Sequence, residues 1–567
     1  MVARSQPRSL RVMAAVGIAA LIGLAANQMN AAADQPATAD RPAADQPAAR
    51  PAARPVGPAV RPEPKAPPVT GDRGLAAGRA LAAQVTVEGV LSHLRAFQKI
   101  ADSSGNTRMA GPGKGYPRSI DYVEEQLRGA GYRVTRQRFD YPYFEERHPT
   151  TFRRGSHTYR SPADFQILSF AGSGTVDAPV VPVDVDLTPP RTSTSGCEAA
   201  DFAGFPRGAV ALLQRGTCEF RDKVRNAAAA HASAVVVFNQ GKGTPTANKD
   251  QFDAFGGTLQ SPVGIPAISV SYAVGAELAK SARVNVQIKT DTLAQTRTTE
   301  NLTAELPAHR GGRTVLVGAH LDSVPEGPGI NDNGSGSAGV LEVALRYAEQ
   351  TRRSAPPNDV RFAWWGAEEF GLLGSEHYVA GLTQAQRRKI ALYLNFDMIA
   401  SPNYELGVLD GDASARQAEA EAGPPGSARI ERFFREFLAS RGQKSSPSGL
   451  DGRSDYAAFA DAGIPVGGMD TGAEGTKSAA EVARFGGVPG VAFDPCYHQA
   501  CDALTPKYRD RAHREAYRKL RKAYGSRLVG NVNVVPLDLI SDAIATAVGR
   551  YAYDLTDVEG VPASPAP

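Results

Sequence analysis

Arg313-Thr314-Val315-Leu316-Val317-Gly318-Ala319, followed at once by His320-Leu321-Asp322, decides the fold. The run is short, apolar and β-branched, the texture of a strand buried on both faces rather than of a helix. Val360–Trp365 and Ile390–Phe396 repeat that texture, while Ser335–Thr351 and Ser427–Arg441 carry apolar residues at helical spacing. Strands alternating with helices predict an α/β fold: a mixed, mostly parallel sheet with helices on both faces.

Upstream, helices are expected over Val85–Ile100 and Ser119–Gly129, then a strand from Tyr132. The texture changes between about 160 and 290. Short apolar runs (Ala178–Val185, Ala209–Gln214, Ala234–Phe238, Ala267–Val270) are separated by Gly, Pro, Ser and Asp, with a helix from Glu219 to about Ala230. This reads as a compact β-rich insertion, because the α/β pattern resumes after it. The expected organisation is one α/β domain in two pieces, 81–158 and 292–555, around an insertion at 159–291, with a tail at 556–567. No internal repeat is present.

The N-terminus reads as a targeting segment. Arg4, Arg8 and Arg11 precede an apolar run from Val12 to Ala26 and then Ala31-Ala32-Ala33, the layout of a signal peptide over 1–33. Residues 34–80 are dominated by Ala and Pro and read as a linker or pro-segment, with order beginning near Ala83. No later stretch is long and apolar enough to span a bilayer, and no cysteine lies near the cleavage site, so no stable membrane anchor is expected. The destination is extracellular or periplasmic. A net charge of +4 over 567 residues is small and points to no nucleic-acid partner.

Export makes the four cysteines interpretable as disulfides. Three pairings are possible; proximity favours Cys197–Cys218 and Cys496–Cys501. The rival reading, a cysteine zinc site, lacks the paired C-x-x-C knuckles.

In parallel sheets reactive groups gather at the carboxyl ends of strands. The three buried runs close on His320-Leu321-Asp322, Gly366-Ala367-Glu368-Glu369 and Asp397, and Asn331-Asp332-Asn333-Gly334 opens a helix between the first two. A further histidine, His498, lies between Cys496 and Cys501. Two imidazoles and three carboxylates suit two zinc ions sharing one carboxylate. Two Zn²⁺ bring four positive charges and Asp332, Glu369 and Asp397 three negative ones, so a bridging hydroxide would complete neutrality and serve as nucleophile. Glu368 and Glu369 point different ways at a strand end, so one can bind metal while the other handles a proton. Asp322, two residues from His320, can orient that imidazole. The other seven of the nine histidines read as structural or surface residues.

Gly318-Ala-His-Leu-Asp-Ser-Val, Gly327-Pro-Gly-Ile-Asn-Asp-Asn-Gly-Ser-Gly, Trp365-Gly-Ala-Glu-Glu-Phe-Gly and Leu394-Asn-Phe-Asp-Met-Ile resemble the co-catalytic zinc aminopeptidases, the family of secreted bacterial leucine-type aminopeptidases and of aminopeptidase Y. Gly452-Arg-Ser-Asp-Tyr, Thr471-Gly-Ala-Glu-Gly and Asp494-Pro-Cys-Tyr-His continue the resemblance. The insertion resembles a protease-associated domain through Cys197-Glu-Ala-Ala-Asp-Phe, Leu213-Gln-Arg-Gly-Thr-Cys and Ile265-Pro-Ala-Ile-Ser-Val. The resemblance implies two zinc ions, one held by His320, Asp332 and Glu369, the other by Asp332, Asp397 and His498. It makes Glu368 the general base and Tyr497 a hydrogen-bond donor to the tetrahedral oxyanion. It also places Arg453 and Met398 along the substrate pocket, and a cis peptide after Asp332. The implied substrates are peptides with a free N-terminus, large apolar residues preferred.

Other functions share this ligand set. A carboxypeptidase, a dipeptidase or a glutaminyl cyclase on the same fold, or an inactive binding protein, would differ in pocket groups and in the base. Gly334-Ser-Gly-Ser-Ala-Gly339 matches G-x-G-x-x-G but does not follow directly on a strand, and no G-x-S-x-G elbow supports a serine hydrolase. Lys507–Leu528 is a basic insertion read as a solvated helix.

Overall fold

Alternate residues of the three buried runs part to opposite sides of one sheet. Val315, Val317, Phe362, Trp364, Leu392 and Leu394 enter one core. Leu316, Ala363, Trp365 and Tyr393 enter another. That division is the two-residue period of a strand covered on both faces. The computed structural model describes residues 70–559, apart from 247, 282, 307–311, 353–354, 418–419 and 509. The expected signal segment, the linker as far as 69 and residues 560–567 lie outside the described residues.

The strands run Thr314–His320, Asp359–Trp365 and Ile390–Phe396. They lie parallel, with Trp365 opposite His320 and Asn395 opposite Gly318. A fourth parallel strand, Val466–Asp470, sets Met469 opposite Phe396. His320, Trp365, Phe396 and Asp470 therefore end at one edge. Gly334–Thr351, Val534–Tyr553 and Val87–Asp102 cover one face; Leu373–Ala380 and Tyr456–Asp461 cover the other. The architecture is the expected mixed, mostly parallel α/β sheet with helices on both faces.

Two long strands carry the sheet into the insertion. Arg133–Arg154 pairs antiparallel with Asn285–Glu305 from Arg133↔Glu305 to Arg153↔Gln287. The second strand also pairs with Asp359–Trp365 at one end and with Gly174–Pro182 at the other. Beyond it, Gly174–Pro182, Val210–Gln214, Ala234–Phe238 and Ala267–Val270 run parallel, over two cores of their own. The expected helix is Phe220–Ala229, and Tyr272–Lys280 joins it. Cys197 is bonded to Cys218 and Cys496 to Cys501.

Order begins earlier than residue 83. Thr70–Ala82, expected as the end of the linker, is a helix lying along Val534–Tyr553. Its sequence carries few large apolar side chains, so no hydrophobic pattern marks it. The glycines are the reason it docks: a Cβ at Gly78 would meet the carbonyl of Thr546, and one at Gly549 would meet Gly78 itself. Two helices without side chains at the crossing approach backbone to backbone. Among the described residues no helix is long and apolar enough to cross a membrane.

Candidate metal centre

The sharp turns after the parallel strands bring five side chains together. Asp332 lies between two imidazoles: Oδ1 is 3.3 Å from His320 Nε2, and Oδ2 is 3.1 Å from His498 Nε2. Asp397 Oδ1 stands 3.3 Å from His320 Nε2, and Glu369 Oε2 3.1 Å from His498 Nε2. Three groups could hold an ion here: His320–Asp332–Asp397, Asp332–Glu369–His498 and His320–Glu368–Glu369. The shortest contacts set Asp397 beside His320 and Glu369 beside His498, whereas the resemblance implied Glu369 with His320 and Asp397 with His498. The shared Asp332 is unchanged. Grouping follows from where the turns aim their side chains, and Ala367, Met398 and His498 all adopt left-handed φ (58°, 54° and 54°). Few non-glycine residues hold that conformation, which ordinary turns and functional sites both use. The Asp332–Asn333 peptide is cis.

Neighbouring groups fix these positions. Asp322 is fully buried, but its carboxylate lies 3.7 Å from His320 Nδ1, and the nearer partner of that nitrogen, at 3.2 Å, is the Asp322 backbone carbonyl. The carboxylate instead accepts the backbone N–H groups of Glu368 at 3.2 Å and Glu369 at 3.4 Å. Asp322 therefore orients two site segments, the imidazole through its main chain and the Glu368-Glu369 turn through its side chain. Asp502 does the same for the shared carboxylate, accepting the N–H groups of Asn331 (2.8 Å) and Asp332 (3.0 Å). Ser454 Oγ donates to Asp397 Oδ2 at 2.7 Å and accepts from Asn395. Neither Ser454 nor Asp502 was singled out from sequence, although Ser454 lies in a quoted motif and Asp502 directly follows Cys501. Their signal was position beside residues already chosen.

The electrostatics are those of a crowded acidic pocket. Burial pushes Glu368 well above the carboxylate range, with Asp455, Asp397 and Glu369 adding to it. Burial and Asp332 push Glu369 up to about 7. Burial works against a charged His498, yet Glu369 and Asp332 outweigh it and hold the imidazolium up to about 11. Asp332 is drawn down because His320 and His498 outweigh its burial. In the metal-free chain the two imidazoles supply the positive charge that the carboxylates require. Glu369 Oε1 is buried with no hydrogen-bond partner, a cost unless a cation takes it. Oxygen and imidazole donors in two clusters with one shared carboxylate fit a pair of divalent ions. Glu368 lies farther out, its Oε2 3.8 Å from His320 Nε2, in a looser group with His320 and Glu369.

Beside the clusters lies a cavity of about 350 Å³ whose lining includes Asp397, Met398, Arg453 and Tyr497. The Tyr497 ring stacks on His498 with centroids 3.8 Å apart. Arg453 is ion-paired with Glu474 at 2.9 Å.

Residues 301–518 match Peptidase family M28, and residues 176–278 match the PA domain. An aminopeptidase of Pseudomonas aeruginosa is 44% identical over 420 residues, 73% of this chain and 76% of that one. A Mycobacterium tuberculosis protein named "Probable lipoprotein aminopeptidase LpqL" is 38% identical over 505 residues, 88% of this chain and 91% of its own. Among solved structures, an aminopeptidase from Aneurinibacillus sp. strain AM-1 shares the fold at a TM-score of 0.58, with 22% identity over 83% of this chain and 95% of that one. The chain belongs to peptidase family M28, with a PA domain inserted in its peptidase domain.

Proposed function

We propose that this M28 peptidase is an exported, two-zinc aminopeptidase that removes single residues from peptides with a free N-terminus. The observation carrying the two-metal reading is Asp332, which turns one oxygen to each imidazole while Asp397 and Glu369 face one imidazole apiece. His320, Asp332 and Asp397 would hold one ion; Asp332, Glu369 and His498 the other. When bound, the ions supply Lewis acidity toward the scissile carbonyl and lower the pKa of the attacking water.

The remaining work belongs to side chains. Glu368, whose proton affinity burial raises, takes a proton from the attacking water and delivers it to the leaving amine. Asp322 keeps the Glu368 and Glu369 main chain in register for that transfer. The Tyr497 hydroxyl donates to the oxygen on which charge develops. The substrate amine lies near Glu368 and Asp397. The neighbouring cavity takes the N-terminal side chain, where Met398, Leu409, Met469 and Phe493 support the implied apolar contact. Two disulfides agree with an oxidising destination, outside the cell or in the periplasm.

The test is hydrolysis of leucine p-nitroanilide beside its N-acetylated form, with metal content measured on the same sample. Cleavage of the free amine alone, with about two zinc ions per chain and loss on chelation, is expected. Loaded enzyme that cleaves neither would shift the reading toward a carboxypeptidase or cyclase.

A further inference from the structure

The basic stretch 507–527 differs sharply in charge from the rest of the chain. It holds nine Lys and Arg against two acids, a net of +7 in a chain whose total is +4, so the other residues together carry −3. Its centre is the helix Arg511–Tyr524. Tyr517 and Leu520 are buried in one cluster with Cys496, Cys501 and Val491. His513 Nε2 donates to the carbonyl of Pro495 at 3.0 Å, and the Asp510 carboxylate caps the helix by accepting the His513 N–H at 2.8 Å. The helix is therefore a fixed element packed on the loop that carries Tyr497 and His498.

Steps of three and four residues place Arg511, Arg514, Arg518 and Lys522 on one stripe opposite Tyr517 and Leu520, and all four are exposed. Lys519 and Arg521, also exposed, flank it on either side. The stripe runs roughly 16 Å along the helix axis. For the helix alone this arrangement is unfavourable. Arg514 and Arg518, and Arg518 and Lys522, are like charges four residues apart, which repel. Arg511 and Arg514 stand in the first turn, where the helix dipole favours acids, and no acid is there. Glu515, the single acid within the helix, relieves part of the repulsion, meeting Arg518 at 2.7 Å and Lys519 at 3.9 Å. No large apolar side chain of the helix is exposed beside the stripe.

We propose that the helix Arg511–Tyr524 is a docking surface for anionic lipid headgroups. An outside layer of anions offsets the repulsion that the helix bears on its own. The helix flank is convex and its cations spread to both sides of the stripe, which matches a plane of phosphates; a single acidic chain is better held in a groove. With no large apolar side chain to insert, the contact is electrostatic and reversible. Docking of this kind needs no spanning helix, and the described residues contain none. It also holds the Tyr497–His498 loop about one helix diameter, roughly 10 Å, from the lipid surface.

The experiment measures co-sedimentation of the zinc-loaded protein with vesicles of phosphatidylcholine alone and with vesicles containing about 30% phosphatidylglycerol. Binding to the anionic vesicles only, released as salt rises to about 0.5 M, is expected. Arg511→Gln, Arg518→Gln and Lys522→Gln together should weaken that binding about a hundredfold. Glutamine keeps the helix propensity, and neutralising the stripe removes its repulsion, so this variant should melt no lower than the parent. The same loss of three exposed cations in the inserted module, by Arg207→Gln, Lys242→Gln and Lys249→Gln, should change binding less than about threefold. Parent protein that ignores anionic vesicles at low salt overturns the proposal, as does equal weakening in the two triple variants. Binding to soluble polyglutamate without binding to vesicles overturns it in favour of an acidic polypeptide. None of these outcomes depends on the reaction that the metal centre performs.

Discussion

Glu368 and Glu369 are neighbours in the chain with separate duties, and Asp322 holds both through their backbone N–H groups. Glu368→Gln keeps the shape and the metal ligands but removes the proton carrier. Its kcat should fall about 10²- to 10⁴-fold with zinc content unchanged, as read by steady-state kinetics and metal analysis. Asp322→Ala acts one step further out. It frees the Glu368-Glu369 turn and leaves the main-chain contact to His320 in place, so zinc affinity should drop about 10- to 100-fold in a competition titration. His320, Glu369 and Asp397 were legible because they close or closely follow buried runs, whereas Asp332 opens a helix and His498 sits between two cysteines. Their grouping was not legible. It depends on left-handed turns at Ala367, Met398 and His498, and a motif records residue identity without recording the direction of projection.

At the scale of elements, buried strands were readable nearly to the residue, as with Ile390–Phe396 and Ala234–Phe238, because continuous apolar runs bounded by polar residues (Lys389 and Asp397, Ser233 and Asn239) leave little ambiguity. The helix Thr70–Ala82 was not, because its docking uses absent side chains, which hydrophobic patterning cannot score. Gly78→Val forces a branched side chain against the Thr546 carbonyl. A loss of about 1–3 kcal/mol is expected by denaturant unfolding, with new proteolytic cutting ahead of residue 87. The Cys496–Cys501 link closes a short loop around Tyr497 and His498. Replacing both cysteines by serine should weaken the Asp332–Glu369–His498 cluster more than the His320–Asp332–Asp397 cluster. Stoichiometric zinc titration should then show one weakened site and one retained.

Over the whole molecule, the metal centre ties segments from His320 to His498 into one knot. Chelation should lower the melting temperature, since an ion that binds only the folded chain stabilises it by mass action. The metal-free chain should also respond to pH with a definite sign. His498 is raised from 6.5 to about 11 and Glu369 from 4.5 to about 7, so the folded state binds these protons more tightly than the unfolded one. The His498 contribution is full below pH 6.5 and is lost as pH rises through 11; the Glu369 contribution is lost between 4.5 and 7. Metal-free protein should therefore melt progressively lower as pH rises across that range, and zinc-loaded protein should not follow, because metal binding has displaced the same protons. Differential scanning fluorimetry with and without chelator checks both.

The ribbon formed by Arg133–Arg154 and Asn285–Glu305 also sets an order of events during synthesis. Every strand of the inserted module as far as Ala267–Val270 leaves the ribosome before Thr314–His320 exists. Arg133–Arg154 meanwhile waits for a partner that arrives only with residue 285 onward. One core of the PA domain takes in Phe152 from the first ribbon strand and Val286 and Ile288 from the second, so that core closes only as the ribbon forms. The same Asn285–Glu305 strand is the edge that Asp359–Trp365 joins, which makes the ribbon the seam at which insertion and peptidase sheet are completed together.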